Sequence, residues 1–218
     1  MNAFLDIIFP RECILCNDIL TQIESSLCCA CKLNLPIHEN TDELFSRFWG
    51  HINIDFAFSL LQYSKEGSVQ KLLKEIKYNK NQILALELGL LLAKELKEQD
   101  YFPESIIPVP LHPEKYKKRT FNQSELLSKA FAEELKIEND ITSVIRKSNN
   151  SSQTKLERYN RWLNVEEVFE VVKPEKIEGR SIAIIDDVIT TGATIGSLAG
   201  LIQEHNPKSL AVLSLAST

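Results

Sequence analysis

Ile184-Ile185-Asp186-Asp187-Val188-Ile189-Thr190-Thr191-Gly192-Ala193-Thr194 decides how the rest of this chain folds. Residues 180–185 before it form a largely apolar run bounded by Gly179 and Asp186, the pattern of a parallel strand buried on both faces. Two acids, a hydroxyl-rich turn and a helix over residues 193–204 follow. The turn offers successive backbone N–H groups at a helix amino terminus, where unpaired donors and partial positive charge favour a phosphate. Thr190, Thr191 and Thr194 add hydroxyl donors, and Gly192 lets the backbone approach closely. Neighbouring carboxylates repel an anion, so Asp186 and Asp187 must meet something else attached to the phosphate. A ribose diol fits, because ionised carboxylates accept from vicinal hydroxyls and stabilise positive charge at the anomeric carbon. The structural alternative is an acidic cap on an ordinary Thr-rich turn.

Outward from this stretch, strand and helix patterns alternate. Residues 54–63 read as a buried strand, and residues 69–78 as a helix with Val69, Leu72, Leu73 and Ile76 at helical spacing. A second helix spans 82–98, a short strand begins at Ser105 and runs into Pro108 and Pro110, and a helix runs from Asn122 to about residue 137. Strands follow at 141–145 and 209–215. The alternation predicts an α/β fold, a twisted parallel sheet with helices on both faces. Its ligand site lies at the carboxyl ends of the strands, where Asp186 begins.

All five cysteines fall between positions 13 and 31, as Cys13-x-x-Cys16 and Cys28-Cys29-x-Cys31. Two Cys-x-x-Cys pairs present four thiolates to one ion, so Cys13, Cys16, Cys28 and Cys31 are expected to hold a structural Zn²⁺, with Cys29 a bystander. Disulfides or a redox pair are the alternatives. His38 is expected to be solvated. Residues 1–40 thus read as a small metal module with too few apolar side chains to fold unaided. Residues 41–52 form a connector anchored by Phe45, Phe48 and Trp49, and residues 53–218 form the main domain.

Net charge is −5, yet residues 112–161 carry 11 basic against 7 acidic side chains. That balance argues against a general nucleic-acid coat while leaving one basic segment. No apolar run approaches the ~20 residues of a membrane span, and the first residues lack the basic region of a secretory signal, so a cytoplasmic location is expected.

Hydrophobic residues, two acids and Thr-Thr-Gly resemble the 5-phosphoribosyl-1-pyrophosphate (PRPP) motif of type I phosphoribosyltransferases. Further matches narrow the likeness: Pro108-Val109-Pro110-Leu111-His112-Pro113, Arg119-Thr120-Phe121-Asn122-Gln123-Ser124, Gln153-Thr154, Arg158, Arg161-Trp162-Leu163-Asn164 and Phe169. With the cysteine module, these are similar to the ComF-type competence proteins, also called amidophosphoribosyltransferase-like or GntX-like. Thr120 departs from the pattern, standing where Gly is expected before Phe-Asn-Gln. The resemblance implies a type I phosphoribosyltransferase fold with an amino-terminal zinc finger and, in several bacteria, a role in natural transformation with incoming single-stranded DNA.

On that likeness, Asp186 and Asp187 are the catalytic candidates, and Val188, Ile189, Thr190, Thr191, Gly192, Ala193 and Thr194 bind the ribose 5-phosphate. Lys115, Lys117, Lys118 and Arg119 are placed to neutralise the diphosphate together with Mg²⁺, or are a solvated charge run. The polar loop from Arg146 to Arg161 suits a lid whose Arg158 and Arg161 contact the anion, or an unconstrained surface loop. Asn122 is a ligand contact or a helix cap, Gln123 a ligand contact or a surface residue, and His112 an acid–base group or a structural one. Lys71, Lys74, Lys77 and Lys80 recur every third residue beside Tyr78, which makes Lys71, Lys74, Lys77 and Tyr78 a candidate nucleic-acid face or an ordinary amphipathic helix.

Three functions follow as expectations. The first is a PRPP- and Mg²⁺-binding phosphoribosyltransferase-like protein that supports single-stranded DNA handling, with a DNA-uptake helicase or recombination factor as partner. The second is a non-catalytic DNA-binding competence factor that keeps the pocket, and the third a purine- or pyrimidine-type phosphoribosyltransferase unconnected with DNA uptake. A zinc module that recruits a partner through residues 1–40 is a further class.

Overall fold

The computed structural model describes residues 10–38, 41–50, 52–112, 114, 116–117, 120–147 and 168–218. Along them run α1 (Cys29–Leu33), α2 (Thr41–Ser46), β1 (Phe56–Gln62), α3 (Ser68–Tyr78), α4 (Gln82–Lys97), β2 (Ser105–Pro108) and α5 (Gln123–Leu135). Then come β3 (Glu138–Asn139), β4 (Val144–Arg146), β5 (Phe169–Val171), β6 (Ser181–Ile189), α6 (Ala193–Gln203) and β7 (Ser209–Ser217). The main sheet has the order β1-β7-β6-β2-β3 with every pairing parallel, while β4 and β5 form a separate antiparallel pair.

This order sets where a ligand can sit. From β2 the chain passes through α5 to β3 on one side, and from β6 it passes through α6 to β7 on the other. The two connections diverge and open a crevice between the carboxyl ends of β2 and β6. Alternation along β6 divides the core: Ala183 and Ile185 pack with α3, α4 and α5, whereas Ile182 and Ile184 pack with α6. Helix α3 buries Val69, Leu72, Leu73 and Ile76, as its spacing predicts. Helices α4 and α5 meet at Gly89, where an added Cβ would come within 2.5 Å of the Leu127 carbonyl oxygen, so a larger side chain would force them apart.

The cysteine-bearing residues are built into this core. Cys13, Leu20, Leu27, Cys28 and Leu35 belong to the same apolar cluster as Leu72, Leu84 and Leu88. Ile37 bridges Leu61 in antiparallel fashion, and the Gln62 N–H donates to the Pro36 carbonyl at 2.8 Å, which covers the edge of β1. Glu87 of α4 accepts from the Ser26 N–H at 3.0 Å and pairs with Lys32 at 2.6 Å. His38 is buried, not solvated, because this pairing draws its backbone N–H to the Leu60 carbonyl at 2.9 Å.

Three expectations change. The strand expected at 141–145 is displaced: the sheet edge is Glu138–Asn139, and Val144–Arg146 pairs with β5. Asp140 is the cause, since its Oδ1 accepts from the Thr142 and Ser143 N–H groups and turns the chain between the two strands. Strand β6 runs past Asp186 to Ile189 because Ser214, Ala216 and Ser217 of β7 keep pairing with it. Of the three aromatic anchors in the connector, Phe48 is fully buried beside the equally buried Leu44 of α2, while Phe45 and Trp49 face solvent.

Candidate functional site

Asp186 and Asp187 lie inside β6, and their side chains find different partners. Asp186 Oδ1 accepts from Ser124 Oγ at 2.9 Å and from the Asp187 N–H at 2.8 Å. Asp187 Oδ2 lies 2.6 Å from Lys77 Nζ at the end of α3. Burial and the Asp187 charge push Asp186 up to about 7, against the pull of the Asp187 N–H, Ser124 and Lys77. Burial thus favours the protonated form of Asp186, while Asp187 carries an internal counter-ion. Arg146 at the end of β4 lies over the Phe169 ring, 5.3 Å from its centroid, and its pKa is lowered by burial, in part offset by the Asp186 charge.

Beyond the acids, residues 188–195 line, with Asp186, a hollow of about 50 Å³. This is room for a few water molecules or one phosphate group. Gly192 caps α6 at φ +76°, a left-handed conformation that glycine adopts without strain. A Cβ there would also meet Phe48 Cε1 at 3.2 Å. From the same short segment Arg47 donates to the Thr190 carbonyl at 2.6 Å, so the aromatic ring and the guanidinium brace the loop from the α2 side. The first turn of α6 supplies N–H donors without intrahelical partners.

Helix α5 closes the crevice from the other side. Asn122 is its cap, accepting from the Ser124 N–H at 3.1 Å and donating Nδ2 to the Val109 carbonyl at 3.0 Å, which ties α5 to the end of β2. Gln123 is buried instead of lying at the surface, since it sits in the first turn against the sheet. His112 Nδ1 accepts the Glu114 N–H at 3.2 Å, a local turn contact. Thr120, where Gly is expected, has φ +69°, so the chain keeps the left-handed turn with a β-branched residue in it. Thr120→Gly is expected to raise stability by about 1 kcal/mol, read as a shift of the urea midpoint at constant slope.

Among the other sequence candidates, Lys115, Lys118, Arg119, Arg158 and Arg161 lie outside the described residues, and Lys117 is exposed. The lysine stripe does not form one outer face. Lys77 turns to Asp187, and Lys71 Nζ donates to the Leu15 carbonyl at 3.3 Å, while Lys74 and Tyr78 face solvent. A lysine at every third position walks round the helix, so its members reach different neighbours. Ser124, Arg146, Arg47 and Lys77 as a partner of Asp187 were not legible as site residues. The one signal for Arg146 is its place at the head of the long polar loop.

The four sulfurs of Cys13, Cys16, Cys28 and Cys31 lie within 4.8 Å of one another, and Cys16 Sγ and Cys28 Sγ are 3.7 Å apart. A tetrahedron with metal–sulfur bonds of about 2.3 Å has an edge of about 3.8 Å, so the cluster can hold a metal ion such as zinc. That separation is far from a disulfide bond, and all five cysteines are unbridged. Backbone donors suit thiolates: the Cys28 N–H reaches Cys13 Sγ at 3.3 Å and the Cys31 N–H reaches Cys28 Sγ at 3.4 Å. Although burial raises the Cys13 thiol, the N–H groups of Cys16, Cys28 and Leu15 bring it down to about 6. Cys29 is exposed, as expected of a bystander.

Among the described residues, no helix is long and apolar enough to cross a membrane. No family model matches the chain. It is similar to the DNA utilization protein YhgH of Shigella flexneri, with 30% identity over 152 residues, 67% of this chain and 66% of that protein. It is similar also to competence protein F of Haemophilus influenzae, 34% identical over 52% of this chain and 50% of that one. Competence protein ComFC of Streptococcus pneumoniae is 31% identical over 64% of this chain and 59% of that one. The chain thus spans at most 66% of these relatives' lengths. Among solved structures, glutamine PRPP amidotransferase from B. subtilis matches 60% of this chain and 26% of its own, with 18% identity and a TM-score of 0.45. The parallel sheet with helices on both faces, the four-cysteine cluster and the sequence relatives agree: the chain belongs to the ComF-type family of competence and DNA-utilisation proteins.

Proposed function

We propose that the crevice between β2 and β6 binds PRPP with Mg²⁺, with the 5-phosphate on residues 190–194 and the ribose hydroxyls on Asp187 and Asp186. The observation that carries this reading is the juxtaposition of an open, polar, phosphate-sized hollow at the amino end of α6 with Asp186 in its lining and Asp187 next to it in β6. Donors fixed in the loop turn remote phosphate binding into placement of the anomeric carbon. There, negative charge at Asp187 favours the positive character that develops as the bond to diphosphate breaks. Mg²⁺ would come with the ligand, shielding the diphosphate. Ser124 holds Asp186, Phe48 and Arg47 hold the loop, and Arg146 brings a cation within electrostatic reach of Asp186. The cysteine cluster, holding Zn²⁺, is structural support.

Relatives named for DNA utilisation and competence favour a cytoplasmic role with incoming single-stranded DNA, beside an uptake helicase or recombination factor. On this reading Lys74 and Tyr78 are the exposed remainder of a nucleic-acid face. Calorimetric titration of PRPP with Mg²⁺ tests the site: wild type binds, and Asp187→Ala binds at least about tenfold more weakly, the loss of a charge-assisted hydrogen bond. No binding to wild type, or equal binding to the variant, overturns the proposal.

A further inference from the structure

Lys77 is the one feature of the acid pair that the proposed chemistry leaves without a task. Its ammonium sits 2.6 Å from Asp187 Oδ2, with both side chains largely shielded from solvent, and so occupies a position that a ribose hydroxyl would need. Lys77 belongs to the helix layer of α3, α4 and α5, whereas the phosphate hollow belongs to α6 on the opposite side of the sheet. A sugar phosphate seated in that hollow and reaching Asp187 therefore lies across the ends of the strands. Its end remote from the 5-phosphate points toward α3, and in PRPP that end is the diphosphate.

We propose that Lys77 is a diphosphate-binding residue: it neutralises Asp187 in this structure and, when ribose hydroxyls engage that carboxylate, exchanges it for the ligand's diphosphate. This inference rests on the proposed PRPP site. The exchange keeps the ammonium paired throughout, while the Asp187 carboxylate trades its counter-ion for hydroxyl donors. It also gives the site a means of preferring a diphosphate ester to a simple ribose phosphate. Ribose 5-phosphate must displace Lys77 and offers it no new partner, whereas PRPP supplies one. A lysine suits the part, being a compact charge on a flexible stem with three donors.

The test compares dissociation constants for PRPP and ribose 5-phosphate, both with Mg²⁺, in wild type, Lys77→Met and Lys77→Arg. The preference for PRPP is expected to fall about tenfold in Lys77→Met, the worth of one charge-assisted contact, and to be largely kept in Lys77→Arg. A merely structural role moves both constants alike and leaves their ratio unchanged, which overturns the proposal without touching the PRPP site. Binding of neither ligand to wild type overturns both. Thermal melts of the variants are run alongside, and the arginine variant, which keeps charge and reach, carries the comparison if the methionine variant melts early.

Discussion

Stripping the metal from the four-cysteine cluster is expected to unfold far more than residues 10–38. Cys13 and Cys28 lie in the same apolar cluster as α3 and α4, and residues 36–38 pair with the edge of β1. Four thiolates brought within 4.8 Å of one another without an ion repel each other, so the knuckle opens when the metal leaves. Its opening exposes the apolar faces of Leu27 and Leu88 and frees Glu87 from the Ser26 N–H and Lys32. A loss of about 5 kcal/mol would lower the melting midpoint by about 10–20 °C in a chain of this size. Circular dichroism melts with and without a strong chelator, and of Cys28→Ser, check this. One cooperative transition at the lower temperature is the expected result, and a small early transition followed by an unchanged main one would show that the knuckle is energetically separate.

The second large effect concerns Asp186. Its pKa is raised from the ordinary carboxylate value to about 7 by burial and by Asp187, so the folded state holds a proton that the unfolded chain has released. The favourable contribution is fully present below the ordinary value and is lost as pH rises through about 7. Asp186→Asn removes this titration, while its side-chain oxygen can still accept from Ser124 Oγ and the Asp187 N–H. The variant is expected to be more stable than wild type at pH 8 by up to about 4 kcal/mol, since the rise from 3.8 to about 7 is worth about 1.4 kcal/mol per unit. The two stability curves should converge near pH 4. Urea midpoints measured from pH 4 to pH 8 decide it, and parallel curves would mean that Asp186 is not the titrating group. A carboxylate that costs stability in the working pH range is what a functional site retains and a scaffold would discard.

The sequence by itself determined the parallel sheet, the four-cysteine cluster and the glycine-capped loop before α6. Each is written in local patterns: the apolar run before Asp186, the doubled Cys-x-x-Cys, and Thr-Thr-Gly at a helix start, with φ +76° at Gly192 where only glycine is at ease. Only the tertiary structure decided what surrounds the acids. Ser124, Lys77 and Arg146 lie between 40 and 110 positions from Asp186 and Asp187, and each is reached through a strand or helix whose direction the sheet order fixes. The same holds for the strand that stops at Asp140, for the buried His38 and for the knuckle's place in the core. Periodicity tells which face of an element is buried. Which neighbours it is buried against, and hence which charges share a low-dielectric space, is set by pairing between segments far apart in the chain.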